Sequence, residues 1–548
     1  MTITSRAISA SSNVSTSSFA ATPGITRRSL IAGAAGAAAA SLLASLGVID
    51  ACPSLALAAD GTRTFTYAIA GDPGANVNPV TTNDRYGLMV LKLLFSQLYV
   101  VRNDGVTWFL ATSCDESDDH LTYTMHLREG VTWSDGQPFT ADDVVFSYQT
   151  TIDREEANAH DQFVYDDGSK VTVEKVDDHT VAFTLPTQNA AGLENLTGVY
   201  VMPKHVYEGV SDFANNDVNA NPVGTGPFTL KDYQAGSYVQ FAARSDYFDG
   251  TPGVDSIVFQ IITNENTGMQ AIQTGQVDAW IATAAEAQQM DAQGNGLTIT
   301  PYSENRVAYF TFNTTRVTDE RVRKALFYAL DKQAIADAAV LDRDYYELEY
   351  TFLPTGNGFY APDAVEHYDR DVEKAKQLLA DAGQPNPTLV FAYTGSDTLQ
   401  TNAVVLIQEQ AAEAGITIDL RGIDSSAISA AQRDKDSEYD IIFGGYIMGV
   451  DPDEYASHFT SGSTRNFAHY DDPVVDDLFA QGRVETDDAK RHEIYDQLQA
   501  EIQEHASFYP LYSNDRLLVT TARVGGIDEA KLVQIYTFEE WDKLTVSE

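Results

Sequence analysis

The run Leu127-Arg128-Glu129-Gly130-Val131-Thr132-Trp133-Ser134-Asp135-Gly136-Gln137-Pro138-Phe139-Thr140-Ala141-Asp142-Asp143-Val144 passes through three kinds of local structure in quick succession. Leu121 to Leu127 alternates apolar and polar residues, as a half-buried strand does. Ser134-Asp135-Gly136 carries turn chemistry. Thr140-Ala141-Asp142-Asp143 then opens a helix: the Thr140 hydroxyl can accept an orphan backbone N–H, Asp143 can reach back, and both acids favour the positive helix end. That helix is expected to run to about Tyr148.

The same alternation of strands and helices extends in both directions. Thr64 to Ile69 reads as a strand, Gly71 to Pro79 as a Gly/Pro/Asn-rich loop, and Tyr86 to Tyr99 has helical spacing. Asp319 and Glu320 open a helix whose apolar positions are Val322, Ala325, Leu326, Ala329 and Leu330, one face of a core helix. Asp371 to Ala382 repeats the pattern, with Gly383 where a left-handed cap is wanted. A strand at Thr388 to Tyr393, a helix at Asn402 to Ala414 closed by Gly415, and a strand at Ile416 to Leu420 make a β-α-β unit. The chain is therefore expected to be α/β.

With 548 residues, 43% of them hydrophobic, the chain can bury several cores, and two or three domains are expected. Its 79 acidic residues against 35 basic ones give a net charge of -44, which makes nucleic acid and anionic lipid poor partners and otherwise serves solubility. Thr26-Arg27-Arg28-Ser29-Leu30-Ile31, followed by an uncharged Ala/Gly/Leu run to Ile49, reads as a twin-arginine export signal over residues 1–58. Two ends to that signal are compatible with the residues. Cleavage after Ala58 fits the small residues of Ala56-Leu57-Ala58, and lipidation of Cys52 fits Ile49-Asp50-Ala51-Cys52, apart from the charge on Asp50. Residues 1–58 carry Arg6, Arg27 and Arg28 against Asp50, a balance of +2, so their removal leaves -46. The only cysteines, Cys52 and Cys114, provide no disulfide framework, and Cys114 has no histidine near it in sequence to activate it.

Catalytic signatures are missing. There is no G-x-S-x-G elbow, H-E-x-x-H, P-loop or dinucleotide fingerprint, and the pairs His120/His126 and His458/His469 fit no usual metal spacing. No catalytic residue, metal or cofactor is expected.

The stretch from Leu127 to Val144 resembles the signature of family 5 extracellular solute-binding proteins, the peptide and nickel receptors of ABC importers. Further landmarks fall in the family's order: Val201-Met202-Pro203-Lys204-His205-Val206, Val223-Gly224-Thr225-Gly226-Pro227-Phe228, Ala271 to Trp280, Phe312-Asn313-Thr314, Val322 to Leu326 and Asp451-Pro452-Asp453. The resemblance implies a periplasmic-binding-protein-like fold of type II, with two α/β lobes, a hinge and a cleft, plus an inserted domain. Lobe I would take residues 59–85, 200–304 and 513–548, the insertion 86–199, and the second lobe 305–512. It further implies an exported, extracytoplasmic and monomeric protein that captures peptides by cleft closure and hands them to permease subunits. A nickel chelate, haem or an oligosaccharide is the alternative solute, and a secreted hydrolase the alternative class.

By the same resemblance, Gly444 to Asp453 is the cleft loop, at the carboxyl end of a strand expected at Tyr439 to Phe443, where open α/β folds bind ligands. The candidate ligand-binding residues are Tyr446, Met448, Gly449 and Asp451 in that loop, Trp280, and Thr394 and Ser396. Peptide receptors of the family usually carry an aspartate for the peptide's α-amino group where Met448 stands here. Dipeptide receptors also carry an arginine for the carboxylate within the loop that reads Thr394-Gly395-Ser396-Asp397. Both charged anchors are absent at those places, so the expected contacts are apolar and backbone ones, unless a slip in register makes Asp451 or Asp453 the carboxylate. The glycines of Gly224-Thr225-Gly226-Pro227 suit either a crossing between lobes or close packing.

Overall fold

A computed structural model describes residues 62–547 apart from 166–167, 294–295 and 536. The twin-arginine segment, the Ala58 cut and Cys52 lie outside the described residues.

The 127–144 stretch folds as its chemistry dictates. Strand Thr122–Leu127 enters it, Gly130 and Gly136 take positive φ, and helix Ala141–Asp153 leaves it with both halves of the Thr140/Asp143 capping box formed. The helix runs five residues beyond Tyr148, because Thr151 and Ile152 keep its buried face going. Trp133 is fully buried, which at about 25 cal/mol per Å2 contributes on the order of 4 kcal/mol. The Ser134 N–H donates to Gly224 O at 2.9 Å, and Arg244 donates to Gly224 O, Gly226 O and Thr132 O, so two of the landmark motifs fold against each other. A Cβ on Gly224 would lie 1.8 Å from Leu94 O, and one on Gly226 would lie 2.4 Å from Leu93 O. The glycines thus allow the turn to close on the end of helix Arg85–Leu94, which is the packing reading. That helix is shorter than its 86–99 spacing suggested. Phe95 turns extended, and Tyr99 already belongs to strand Tyr99–Arg102.

Eleven of the strands form one mixed sheet. At one end Thr64–Ile69 runs parallel to Ser256–Ile261 and Ala279–Ala282. At the other end Thr388–Thr394 runs parallel to Thr417–Ile423 and Ile441–Tyr446, with helix Thr398–Glu413 as the crossover. Two long antiparallel strands, Thr298–Phe312 and Phe508–Thr520, join the ends. Their register breaks between the pairs Ser303–Asp515 and Val307–Ser513. Glu304, Asn305 and Arg306 bulge there opposite Asn514, with Asn305 in the left-handed region. A separate four-stranded antiparallel sheet, with strands at Ala111–Glu116, Thr122–Leu127, Thr180–Thr184 and Thr172–Asp177, packs on helix Ala141–Asp153.

Three large cores follow this layout. One gathers Phe65, Tyr67, Phe259 and Trp541, another Phe310, Phe391, Phe443 and Tyr509, and a third Trp133, Tyr148 and Phe183. No helix among the described residues is long and apolar enough to cross a membrane.

Candidate functional site

The parallel strands Thr388–Thr394 and Ile441–Tyr446 end on the same side of the sheet, and the loops that follow them carry most of the candidate residues. In the first loop the Thr394 N–H is held by Gln400 Oε1 at 2.9 Å, and Asp397 caps helix Thr398–Glu413. Gly395 and Ser396 are exposed.

The second strand runs to Tyr446, past the expected end at Phe443, so Gly444, Gly445 and Tyr446 are strand and the loop begins after them. The two aromatic candidates and the acids separate from the rest. Tyr446 is buried in a ring cluster with Tyr309, Tyr455 and Phe508, and its hydroxyl donates to Phe352 O. It serves the core beneath the loop and does not supply a free flat surface. Trp280 is likewise buried, under helix Glu265–Gln273 with Ile272 and Met290, and it is not brought to the loop. Asp451 caps the 3-10 helix Pro452–His458 and forms a two-pronged ion pair with Arg491, at 2.7 and 2.8 Å. Asp453 is paired with Arg483 Nε at 2.9 Å. The two carboxylates that a slip in register would offer to a ligand ammonium are thus already neutralised within the protein.

Met448 and Gly449 remain half-buried on the loop, with Met448 packed against the cluster around Tyr446. Gly449, Val450 and Glu454 line an open cavity of about 280 Å3, with Glu194, Thr197 and Arg102 among its other lining residues. Glu454 accepts the Gly449 N–H at 3.1 Å, and a Cβ on Gly449 would collide with its carboxylate. Burial, reinforced by the Asp451 charge, pushes the Glu454 carboxyl up to about 7. Glu194 is raised as well, mainly by burial. Glu539, at the back of the cavity, moves the other way. Burial opposes its ionisation, yet Lys92 and Arg102 at 3.3 and 2.6 Å hold it down to about 2. Sequence reasoning missed these charged groups, because Glu194, Arg102 and Glu539 come from segments far apart in the chain and carry no local motif.

Other reactive groups lie elsewhere. Burial, with Glu116 and Asp115 nearby, pushes the Cys114 thiol up to about 12, so it stays protonated and unreactive near neutral pH. Asp472, Glu501 and His505 bring ligand-type atoms within 4.8 Å of one another, outside the cavity. They are already joined, with His505 Nε2 at 2.6 Å from Asp472 and 3.0 Å from Glu501.

Comparison with known proteins places this architecture. The family model described as bacterial extracellular solute-binding proteins, family 5 middle, matches residues 106–467. The crystal structure of the ABC transporter substrate-binding protein CtaP from Listeria monocytogenes superposes with a TM-score of 0.84 at 35% identity, over 88% of this chain and 99% of that one. The oligopeptide-binding protein AppA of Bacillus subtilis is 27% identical over 85% of this chain and 89% of its own length. The heme-binding protein A of Haemophilus influenzae is 29% identical over 76% and 80%, respectively. The mixed α/β fold with its single large sheet is that of the type II periplasmic-binding-protein-like receptors.

Proposed function

Because the chain belongs to the bacterial extracellular solute-binding proteins of family 5, we propose that it is the receptor of an ABC importer, that it binds peptides in the cleft beside loop 447–454, and that it acts without covalent chemistry. The observation that carries this reading is the cavity itself. Its walls come from the segment 88–102, the segment 194–200, the cleft loop and the segment 534–539, which meet only in the folded chain. A site assembled from separate parts is what closure around a solute requires.

Three cores support a division into three parts, with lobe I from 59–85, 200–304 and 513–548, the insertion at 86–199 and the second lobe at 305–512, except that Met89 to Phe95 pack in the lobe I core with Phe65 and Phe259, which moves the start of the insertion past Phe95. Closure would then turn on the two long strands, at the bulge of Glu304 to Arg306. Met448, Gly449, Thr394 and Ser396 are the candidates left in contact with solute, whereas Tyr446 and Trp280 shape the walls from behind. The receptor is exported, works as a monomer and docks on permease subunits.

Mass spectrometry of the molecule that co-purifies with the protein, together with X-ray scattering, tests the reading. A bound peptide and a smaller radius of gyration with ligand are expected, with added stability of about 2.7 kcal/mol at a hundredfold excess over the Kd. A haem or a metal chelate in place of a peptide would move the protein to another branch of its family.

A further inference from the structure

Arg306 stands out among the cations of this protein. Acids outnumber bases 79 to 35, so an arginine at the surface readily finds a carboxylate. Apart from Arg306 and the exposed Arg465, every described arginine donates to a carboxylate or a backbone carbonyl. Arg306 is half-buried as a residue, and its guanidinium has no hydrogen bond or ion pair among the described residues.

Its position is well defined. Val307 pairs with Tyr446 and Ala308 with Gly445, so Arg306 lies one step further along, beside the start of the cleft loop. A Cβ on Gly445 would lie 2.2 Å from Arg306 Nη2, so the guanidinium lies against a glycine that is itself exposed. Tyr512 is within electrostatic reach of both Arg306 and Asp397, which puts the guanidinium on the side of the sheet where the 394–397 loop lies. That is the carboxyl end of the parallel strands, where open α/β sheets receive ligands. The bulge that carries Arg306 also touches the cavity wall, because Glu304 accepts the N–H of Ile535, a lining residue.

An unpaired guanidinium on a half-buried residue is free to meet an anion through charge-assisted hydrogen bonds. We propose that Arg306 is the anion anchor of the binding site, and that it receives a carboxylate of the solute above the exposed backbone of Gly445. The planar guanidinium suits two-pronged contact with a carboxylate, and the missing side chain at Gly445 gives that group room. This inference rests on the peptide reading for the identity of the carboxylate, as a C-terminus or an acidic side chain, but not for the anchor itself.

The test uses tri-, penta- and nonapeptides of Ala, Gly and Leu, each made as free acid and as C-terminal amide. Calorimetry is run on wild type, Arg306→Gln, Arg306→Lys and Gly445→Ala, with folding checked by thermal melting. Wild type is expected to favour acids over amides by roughly thirtyfold or more. Arg306→Gln should lose that preference, Arg306→Lys should keep part of it, and Gly445→Ala should weaken it by displacing the guanidinium without removing its charge. Acids and amides binding wild type equally would overturn the proposal, as would an Arg306→Gln protein that keeps the full preference. In parallel, native mass spectrometry compares what wild type and Arg306→Gln carry from the cell. A non-peptide anion carried by wild type and lost from Arg306→Gln would support the anchor and overturn the peptide reading. A wild type that carries no anion from the cell and binds none of the free-acid peptides in calorimetry would overturn both.

Discussion

Asp451 and Arg491 face each other through two parallel contacts, Oδ2 to Nη1 at 2.7 Å and Oδ1 to Nη2 at 2.8 Å, with side chains only 5% and 8% exposed. The pair fixes the cleft loop to helix Asp488–Glu504, and Arg491 Nε also donates to Gly482 O. Removing one partner leaves an uncompensated buried charge, so Arg491→Ala is expected to cost about 3 to 5 kcal/mol in urea unfolding. The double variant Asp451→Asn/Arg491→Met should lose clearly less than Arg491→Ala alone, because no charge is stranded. Equal losses would mean that the pair is not coupled.

Gly224→Ala sets a new methyl against a backbone oxygen, Leu94 O, which moves only if the helix end moves. Thermal unfolding should show a loss of about 3 kcal/mol. Gly236→Ala is the control: nothing lies within 4 Å of its Cβ, and only the positive φ opposes the change, at about 1 kcal/mol. If the two variants melt alike, the close packing of the 223–228 turn is not what the glycine serves.

What was legible in the sequence was local chemistry. The Thr140/Asp143 box, the Asp319 and Asp371 caps and the Gly383 and Gly415 stops all stand where their side chains and φ angles require. Errors fell where a signal was weak or distant. Helix Thr398–Glu413 starts four residues before its expected beginning, because the Asp397 cap opens it ahead of the apolar periodicity. Glu304 is neutralised by Arg85 and Arg516, each more than two hundred residues away, and no window of sequence carries such a pairing. The cleft loop was placed by resemblance, but whether its acids were free or already engaged depended on Arg483 and Arg491, on other helices.

Glu454 gives the cleft a pH dependence. Its carboxyl is raised from 4.5 to about 7 in the folded chain, so the stabilisation from keeping it protonated is complete below about pH 4.5 and is lost as pH rises through about 7. Glu454→Gln mimics the protonated form and can still accept the Gly449 N–H. Its advantage over wild type should grow between pH 5 and pH 8 to at most about 3 kcal/mol, at about 1.4 kcal/mol per pH unit. Glu539→Gln should behave oppositely. The Glu539 carboxyl is held down to about 2, so it contributes stability above about pH 4.5 that is lost only as pH falls towards 2, and its removal should hurt most at neutral pH. Parallel stability curves for wild type and Glu454→Gln would show that Glu454 does not titrate in this range.

The last expectation concerns the amino end of a bound peptide. Met448, which the sequence resemblance sets at the family's usual aspartate position, packs against the Tyr446 cluster, and the nearby Asp451 and Asp453 are bound to Arg491 and Arg483. An ammonium placed there would have no free carboxylate to meet, and its desolvation would oppose binding. A peptide and its N-acetylated form should therefore bind within about tenfold of each other, since an engaged buried charge pair would cost roughly 2 to 5 kcal/mol on acetylation. Glu454 and Glu194 are the acids in the cavity that offer a rival anchor. If acetylation weakens binding about a hundredfold, and Glu454→Gln removes that sensitivity while Asp451→Asn lowers stability alone, then Glu454 holds the ammonium and the apolar reading of the loop is wrong.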